Sequence, residues 1–83
     1  MSGKQLSVRI ISLQKTLFEG PAQSVSFPGT VGAFEVLPGH AALVSSLEKG
    51  TVGIRGVDGK MTQIDISFGV VKVLDNEVTV CVN

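Results

Sequence analysis

Few side chains in this 83-residue sequence can do covalent or metal chemistry: there is one histidine, His40, and one cysteine, Cys81. A nucleophile triad needs a Ser or Cys activated by a base, with a carboxylate orienting that base. Cys81 alternates with valines in "EVTVCVN", as a strand residue does, and no serine lies in a strained elbow motif, so His40 has no nucleophile to activate. Zinc asks for three or four N, S or O ligands at cluster spacing, which one histidine does not supply. His40 therefore reads as a loop residue behind Pro38 and Gly39 that hydrogen-bonds a neighbour or a partner. Gly29, Gly32 and Gly39 match neither the dinucleotide fingerprint nor the P-loop, since "GTVG" lacks the remaining glycine and no Gly-Lys-Ser/Thr follows. They read as turn formers, or as places where another backbone comes close. The expectation is no catalytic residue, no metal and no cofactor.

Lys60 suggests a different class of function. Biotinyl and lipoyl carrier domains are all-β, of about this size, and carry a modified lysine on a hairpin tip; "VDGKM" puts Lys60 just past such a tip. The flanking "GVDGKMTQ" lacks the carrier pattern on the N-terminal side of the lysine, and no second quasi-symmetric half follows, so an exposed hairpin lysine is the simpler reading. An interaction module of another system is the third alternative, because β-sandwiches are widely reused.

Charge narrows the partners. Seven Lys and Arg balance seven Asp and Glu, and the cations are spread along the chain. Without a basic stripe the counterion-release contribution to nucleic-acid affinity is missing. With four Phe and no Trp or Tyr there is no platform for stacking bases either. Nucleic acid and direct binding to anionic lipid are both disfavoured. A lone cysteine forms no internal disulfide, which points to a reducing compartment. The run "LSVRIISL" is too short and mixed for a signal peptide or a membrane span, so any membrane location must come through a partner.

The elements that must position these residues are strands. Val, Ile and Thr make up 23 of 83 residues, a β-branched enrichment. Period-2 alternation puts Val78, Val80 and Val82 on one face, and likewise Leu6, Val8 and Ile10; Ile64, Ile66 and Phe68; Val25 and Phe27; Phe34 and Val36. Asp58-Gly59 and Asp75-Asn76 are type I′ hairpin signals, which need positive φ at both central residues. "SSLEKG" imitates a capping box and allows at most one helical turn. Strand-turn spacing of about 8–10 residues without an amphipathic helix gives an antiparallel sandwich or barrel in a single domain, residues 1–83.

At "GAFEVLPGHAALVSSLEKGTV" the sequence resembles the epsilon subunit of F-type ATP synthases, with "LSVRIISLQKTLFEGPAQSVSFPGTVG" similar to the family's opening strands and "FGVVKVLDNEVTV" to its closing hairpin. The resemblance implies a flattened antiparallel β-sandwich of two sheets, about 8–10 short strands. It implies a non-catalytic rotor subunit of the central stalk that binds the gamma subunit and the c-ring, meets the catalytic head indirectly, and helps couple proton flow to ATP synthesis. The location implied is the cytoplasmic face of the bacterial inner membrane, reached through the complex. Ser12 and His40 match gamma-facing positions, with Ala41, Ala42, Leu43 and Val44 beside them. Gly29, Thr30, Val31, Gly32, Ala33 and Glu35 fall in the loop that would face the c-ring. Ala33 stands where many members have an acid, Glu35 where glycine is common, and Ala42 where proline is frequent, which should loosen the segment after His40. Many members continue into two C-terminal helices; the expectation here is the β domain without that helical hairpin.

Overall fold

The computed structural model describes residues 4–83. It holds eight strands: β1 (Leu6–Ile11), β2 (Thr16–Phe27), β3 (Phe34–Val36), β4 (Leu43–Leu47), β5 (Gly50–Gly56), β6 (Met61–Ile66), β7 (Gly69–Leu74) and β8 (Glu77–Val82), with no helix among the described residues. Alternation decides which side is buried, because successive side chains of a strand point to opposite faces. Leu6, Val8 and Ile10 of β1, Val71 and Val73 of β7 and Val78, Val80 and Val82 of β8 are all buried, while Ser7, Arg9, Lys72 and Thr79 between them are exposed. The core is aliphatic except for Phe27.

Strand order is β4-β7-β8-β1-β2-β5-β6, with β3 also on β2. The 12-residue β2 joins the two layers of the expected sandwich. Its first half pairs with β1, its second half with β5 and β3, and Ala22 opposes both Leu6 and Gly56. The register slips between Ala22 and Ser24; an extra residue of this kind bends a strand and raises its twist, so one strand serves both layers. Beyond β2, Gly29 bridges Leu47, the Glu48 N–H donates to Pro28 O at 2.9 Å, and the Thr30 N–H donates to Ser46 O at 3.3 Å. The curled sheet is thereby tied back to β4.

The two layers of the expected sandwich share one hydrogen-bonded path through β2. Three details depart from the sequence expectation. The pair β1 and β8 is parallel, Ser7 opposite Glu77 through Ile11 opposite Cys81; side-chain alternation carries no strand direction, and the crossover a parallel pair needs is supplied by everything between them. Asp75 and Asn76 have φ of 52° and 65°, the expected type I′ loop. At Asp58-Gly59 only Gly59 is positive, at 87°. There the Gly59 N–H donates to Gly56 O at 2.9 Å and the Gly56 N–H to Lys60 O at 2.8 Å, so the hairpin is a three-residue loop ending in a left-handed glycine. The third is at Phe68: β6 ends at Ile66, and Phe68 is 60% exposed. At "SSLEKG" no helical turn forms, because Ser45 lies inside β4 in ladder pairing with β7.

Candidate functional site

Of the expected gamma-facing residues, strand register places Val44 on the outer face, whereas Leu43, opposite buried Val73, is half-buried against the core; Ser12, His40, Ala41 and Ala42 lie in connections outside the ladders. Across the leaf formed by β4, β7, β8 and β1, Val44 lies opposite Lys72, Lys72 opposite Thr79, and Thr79 opposite Arg9. The next outward row is Ser46, Val70, Cys81 and Ile11. These rows alternate with the buried ones, so they form the outer face. Val44 is 71% exposed, and Val70 and Leu74 are 47% each. Ala42, Leu43, Val44, Lys72, Val73 and Leu74 line a shallow groove of about 260 Å³ at one edge of this face.

His40 stands at that edge for a local reason. Residues 37–40 form a type II turn, with the His40 N–H donating to Leu37 O at 3.0 Å and Gly39 at φ 87°. Proline at the second position and glycine at the third are what that turn requires. His40 Nδ1–H donates to Ala41 O at 2.8 Å. The turn is held from outside by Asn76, whose Oδ1 accepts the Gly39 N–H at 2.7 Å. Asn76 was read from the sequence as a hairpin residue only; its side-chain acceptor meets a partner 37 residues away, which no local pattern reveals. Ala41 and Ala42 are exposed and lead into β4.

Ser12 occupies the other end of the face. It follows Ile11 in the turn to β2, where its Oγ accepts the Gln14 N–H at 3.2 Å and the Lys15 N–H at 3.3 Å, and Leu13 beside it is wholly exposed. Between the Leu43 row and Ser12 lie about four residues along the strands, ~13 Å, and three strand spacings, ~14 Å. The structure does not bring Ser12 and His40 into contact; it places them at two margins of one face.

The second group forms an anchored loop. Gly29 is buried in its bridge to Leu47, whereas Thr30, Val31, Gly32 and Ala33 are exposed, Val31 completely. The Gly32 N–H donates to Gly29 O at 3.0 Å, and the Phe27 and Phe34 rings pack at 5.4 Å across the base of the loop. Glu35 lies within β3, exposed, opposite Ser26. Thr30 Oγ1 and Ser46 Oγ are 3.0 Å apart, so the loop adjoins the outer face and the two groups of residues form one continuous surface. A Cβ on Gly29 would lie 2.6 Å from Gly32 O and 2.9 Å from the Phe34 ring. Gly29→Ala is therefore expected to cost about 1–3 kcal/mol, the usual range for overpacking; a melting temperature equal to that of the parent chain would contradict this. Gly32 has open space but φ of 149°, so any substitution there strains the backbone, and Val31 is the cleaner probe of what the loop touches.

Lys60 is exposed and lies just past the tip of the β5–β6 hairpin, where it closes the three-residue loop. Its N–H donates to Asp58 Oδ1 at 3.0 Å and its carbonyl accepts from Gly56. Among the described residues no three His, Cys, Asp or Glu side chains gather as a metal group. The arrangement offers a docking surface: a sheet face with Val44, Val70 and Leu74 exposed beside Lys72 and Arg9, continuous with a glycine-rich loop.

Comparison with known proteins matches residues 5–83 to the family described as ATP synthase, Delta/Epsilon chain, beta-sandwich domain. The ATP synthase epsilon chain of Synechococcus elongatus is 42% identical over 78 residues, which cover 94% of this chain and 56% of that protein. The epsilon chain of Nitratiruptor sp. is 42% identical over 77 residues, 93% of this chain and 60% of that one. The chain thus spans a little over half the length of these relatives. A chain in the cryo-EM structure of the Euglena gracilis mitochondrial ATP synthase (OSCP/F1/c-ring, rotational state 1) superposes with a TM-score of 0.90 at 23% identity, over 99% of this chain and 52% of that one. One in the Tetrahymena thermophila mitochondrial ATP synthase central stalk and c-ring gives 0.80 at 16% identity, over 99% and 66%. At those identities the likeness is one of fold, and that fold is the sandwich expected from the sequence.

Proposed function

Because the chain belongs to the ATP synthase delta/epsilon-chain β-sandwich family, we propose that it is a non-catalytic part of the rotor, seated between the gamma subunit and the c-ring and coupling ion flow to ATP synthesis. The observation that carries this reading is the outer face of β4, β7, β8 and β1, where Val44, Val70 and Leu74 stand exposed beside the loop at residues 29–33. Stable assembly in a turning stalk calls for a large, rather apolar contact, on the order of 2,000 Å² or more in total. A rigidly backed sheet face, with Val44, Val70 and Leu74 exposed among Lys72, Thr79 and Arg9, fits one such partner, and we assign it to gamma. A short loop rich in small residues, pinned at Gly29 and by the Phe27–Phe34 pair, fits close backbone approach by polar loops of the c-ring. Both fold neighbours come from assemblies whose descriptions name the c-ring. With relatives such as the Synechococcus and Nitratiruptor epsilon chains, the corresponding place is the cytoplasmic face of a bacterial membrane, reached through the complex.

This assignment leaves Lys60 as an ordinary surface lysine: the family match covers the whole hairpin that carries it, and the carrier-domain alternative has no support left. The test is co-purification from source membranes with the tagged chain, wild type against Val31→Asp. Wild type is expected to bring gamma and c subunits. Val31 is completely exposed, so Asp there leaves the fold unchanged, and roughly tenfold less c-ring relative to gamma is expected, the order of the loss when one interface residue stops contributing. Recovery of neither subunit by wild type would refute the proposal, and an unchanged c-to-gamma ratio would remove the loop from the c-ring contact.

A further inference from the structure

We propose that Asn76 is a positioning residue for docking: its side-chain oxygen fixes the turn at residues 37–40 in the place from which Ala41, Ala42 and Val44 meet gamma. The inference rests on the gamma-facing reading given above. Residues 37–42 lie between β3 and β4 and join no strand ladder. Their turn is closed internally by His40 to Leu37, and His40 Nδ1 binds the adjacent carbonyl. Outside the strand ladders that flank it, and among the described residues, this segment is tied to another part of the chain by Gly39 N–H to Asn76 Oδ1, at 2.7 Å. Asn76 itself is fixed, because it is the second residue of the type I′ loop and its carbonyl accepts the Ser7 N–H at 2.8 Å. One residue thus joins the β7–β8 hairpin, the start of β1 and the turn that leads into the exposed edge of β4.

The position makes two separate demands. The backbone, at φ 65°, suits Gly, Asn or Asp and disfavours other residues. The tether needs a short side chain with an oxygen acceptor, which Asn and Asp have and Gly lacks. Without the tether the segment must be ordered on binding, and fixing the backbone of even one residue costs roughly tenfold in affinity.

The experiment measures binding of the full chain and its variants to ATP synthase stripped of this subunit, together with melting temperature and exchange of the Gly39 amide proton. Asn76→Gly keeps the turn and removes the acceptor. It is expected to bind about tenfold more weakly at a melting temperature within a few degrees of the parent, with the Gly39 amide exchanging faster. Asn76→Asp keeps both features and is expected to restore affinity to within about twofold and to restore amide protection, as a charge-assisted acceptor does. A loss that follows a collapse in melting temperature, or that Asn76→Asp fails to repair, overturns the proposal. Val44→Asp separates the two levels. If it abolishes binding while Asn76→Gly binds like the parent, the positioning role is wrong and the docking reading stands. If Val44→Asp also binds like the parent, the docking reading fails and takes the positioning role with it.

Discussion

Replacing Val44 by Asp is expected to weaken binding to the stripped synthase by roughly 30- to 1,000-fold, the effect of removing an interface hot spot worth about 2–4 kcal/mol. Val44 projects from the outer face of β4 and is 71% exposed, so the free domain gains nothing from burying it. Its cross-strand neighbour is Lys72. An aspartate at position 44 would face that ammonium across the strands, and opposite charges so placed stabilise a sheet by about 0.2–1 kcal/mol. That gain offsets the poorer strand propensity of Asp relative to Val, on a scale spanning about 1 kcal/mol, so the free chain should melt within a few degrees of its usual temperature. In the complex the same carboxylate would be desolvated against an apolar partner surface, where burying a charge without full pairing is costly. Titration against the stripped synthase, paired with a thermal melt, measures both sides. Tight binding by a well-folded Val44→Asp chain would mean that gamma sits elsewhere.

The largest effect on stability is expected at Phe27. It is the biggest fully buried side chain, 2% exposed, and packs against Phe34 at 5.4 Å with the rings tilted by 31°. Truncation of a buried Phe to Ala costs about 3–5 kcal/mol, from lost transfer energy plus the cavity left behind. A domain of this size has a total stability toward the lower end of about 5–15 kcal/mol, and each kcal/mol lost lowers its melting temperature by roughly 4–8 °C. Phe27→Ala should thus melt well over 10 °C below the parent chain, whereas Phe27→Leu, which keeps much of the volume, should cost less than about 1.5 kcal/mol. Phe27 is the last residue of β2 before the loop at residues 29–33, so the truncation also frees Phe34 and the base of that loop. Urea and thermal denaturation of the two variants give the comparison. An Ala variant as stable as the Leu variant would show that the ring pair contributes little.

Much of the fold was legible because local chemistry and burial agree. The strictly alternating valines of β8 could face the core one way only, and Asp75-Asn76 could close its hairpin with β7 with positive φ at both positions. Asp58-Gly59 was a weaker signal. Asp58 keeps a negative φ and spends its carboxylate on the Lys60 N–H, with Gly59 alone turning left-handed. Phe68 was misplaced because alternation counted past Ile66 ignores the end of the strand. The side chain of Asn83 accepts the N–H groups of Ser67 and Phe68 at 3.3 and 3.2 Å, a contact from 15 residues away that turns the chain there. The docking candidates divide in the same way. Pro38, Gly39 and the exposed glycine-rich loop were legible as turns and as a surface. That Ser46 joins that loop to the outer face, through its 3.0 Å contact with Thr30, was not.

By itself the sequence determined the strand content, the aliphatic core, the turn at residues 37–40 and the poverty of catalytic groups, because each depends on residue type or on a spacing of a few positions. Tertiary structure alone decided the parallel pairing of β1 with β8, the bend that lets β2 serve both layers, the gathering of Val44, Val70 and Leu74 onto one face, and the hold of Asn76 on Gly39. Period-2 alternation specifies which side of a strand is apolar. It specifies neither the neighbour nor its direction, and those depend on chain closure and on contacts between residues tens of positions apart.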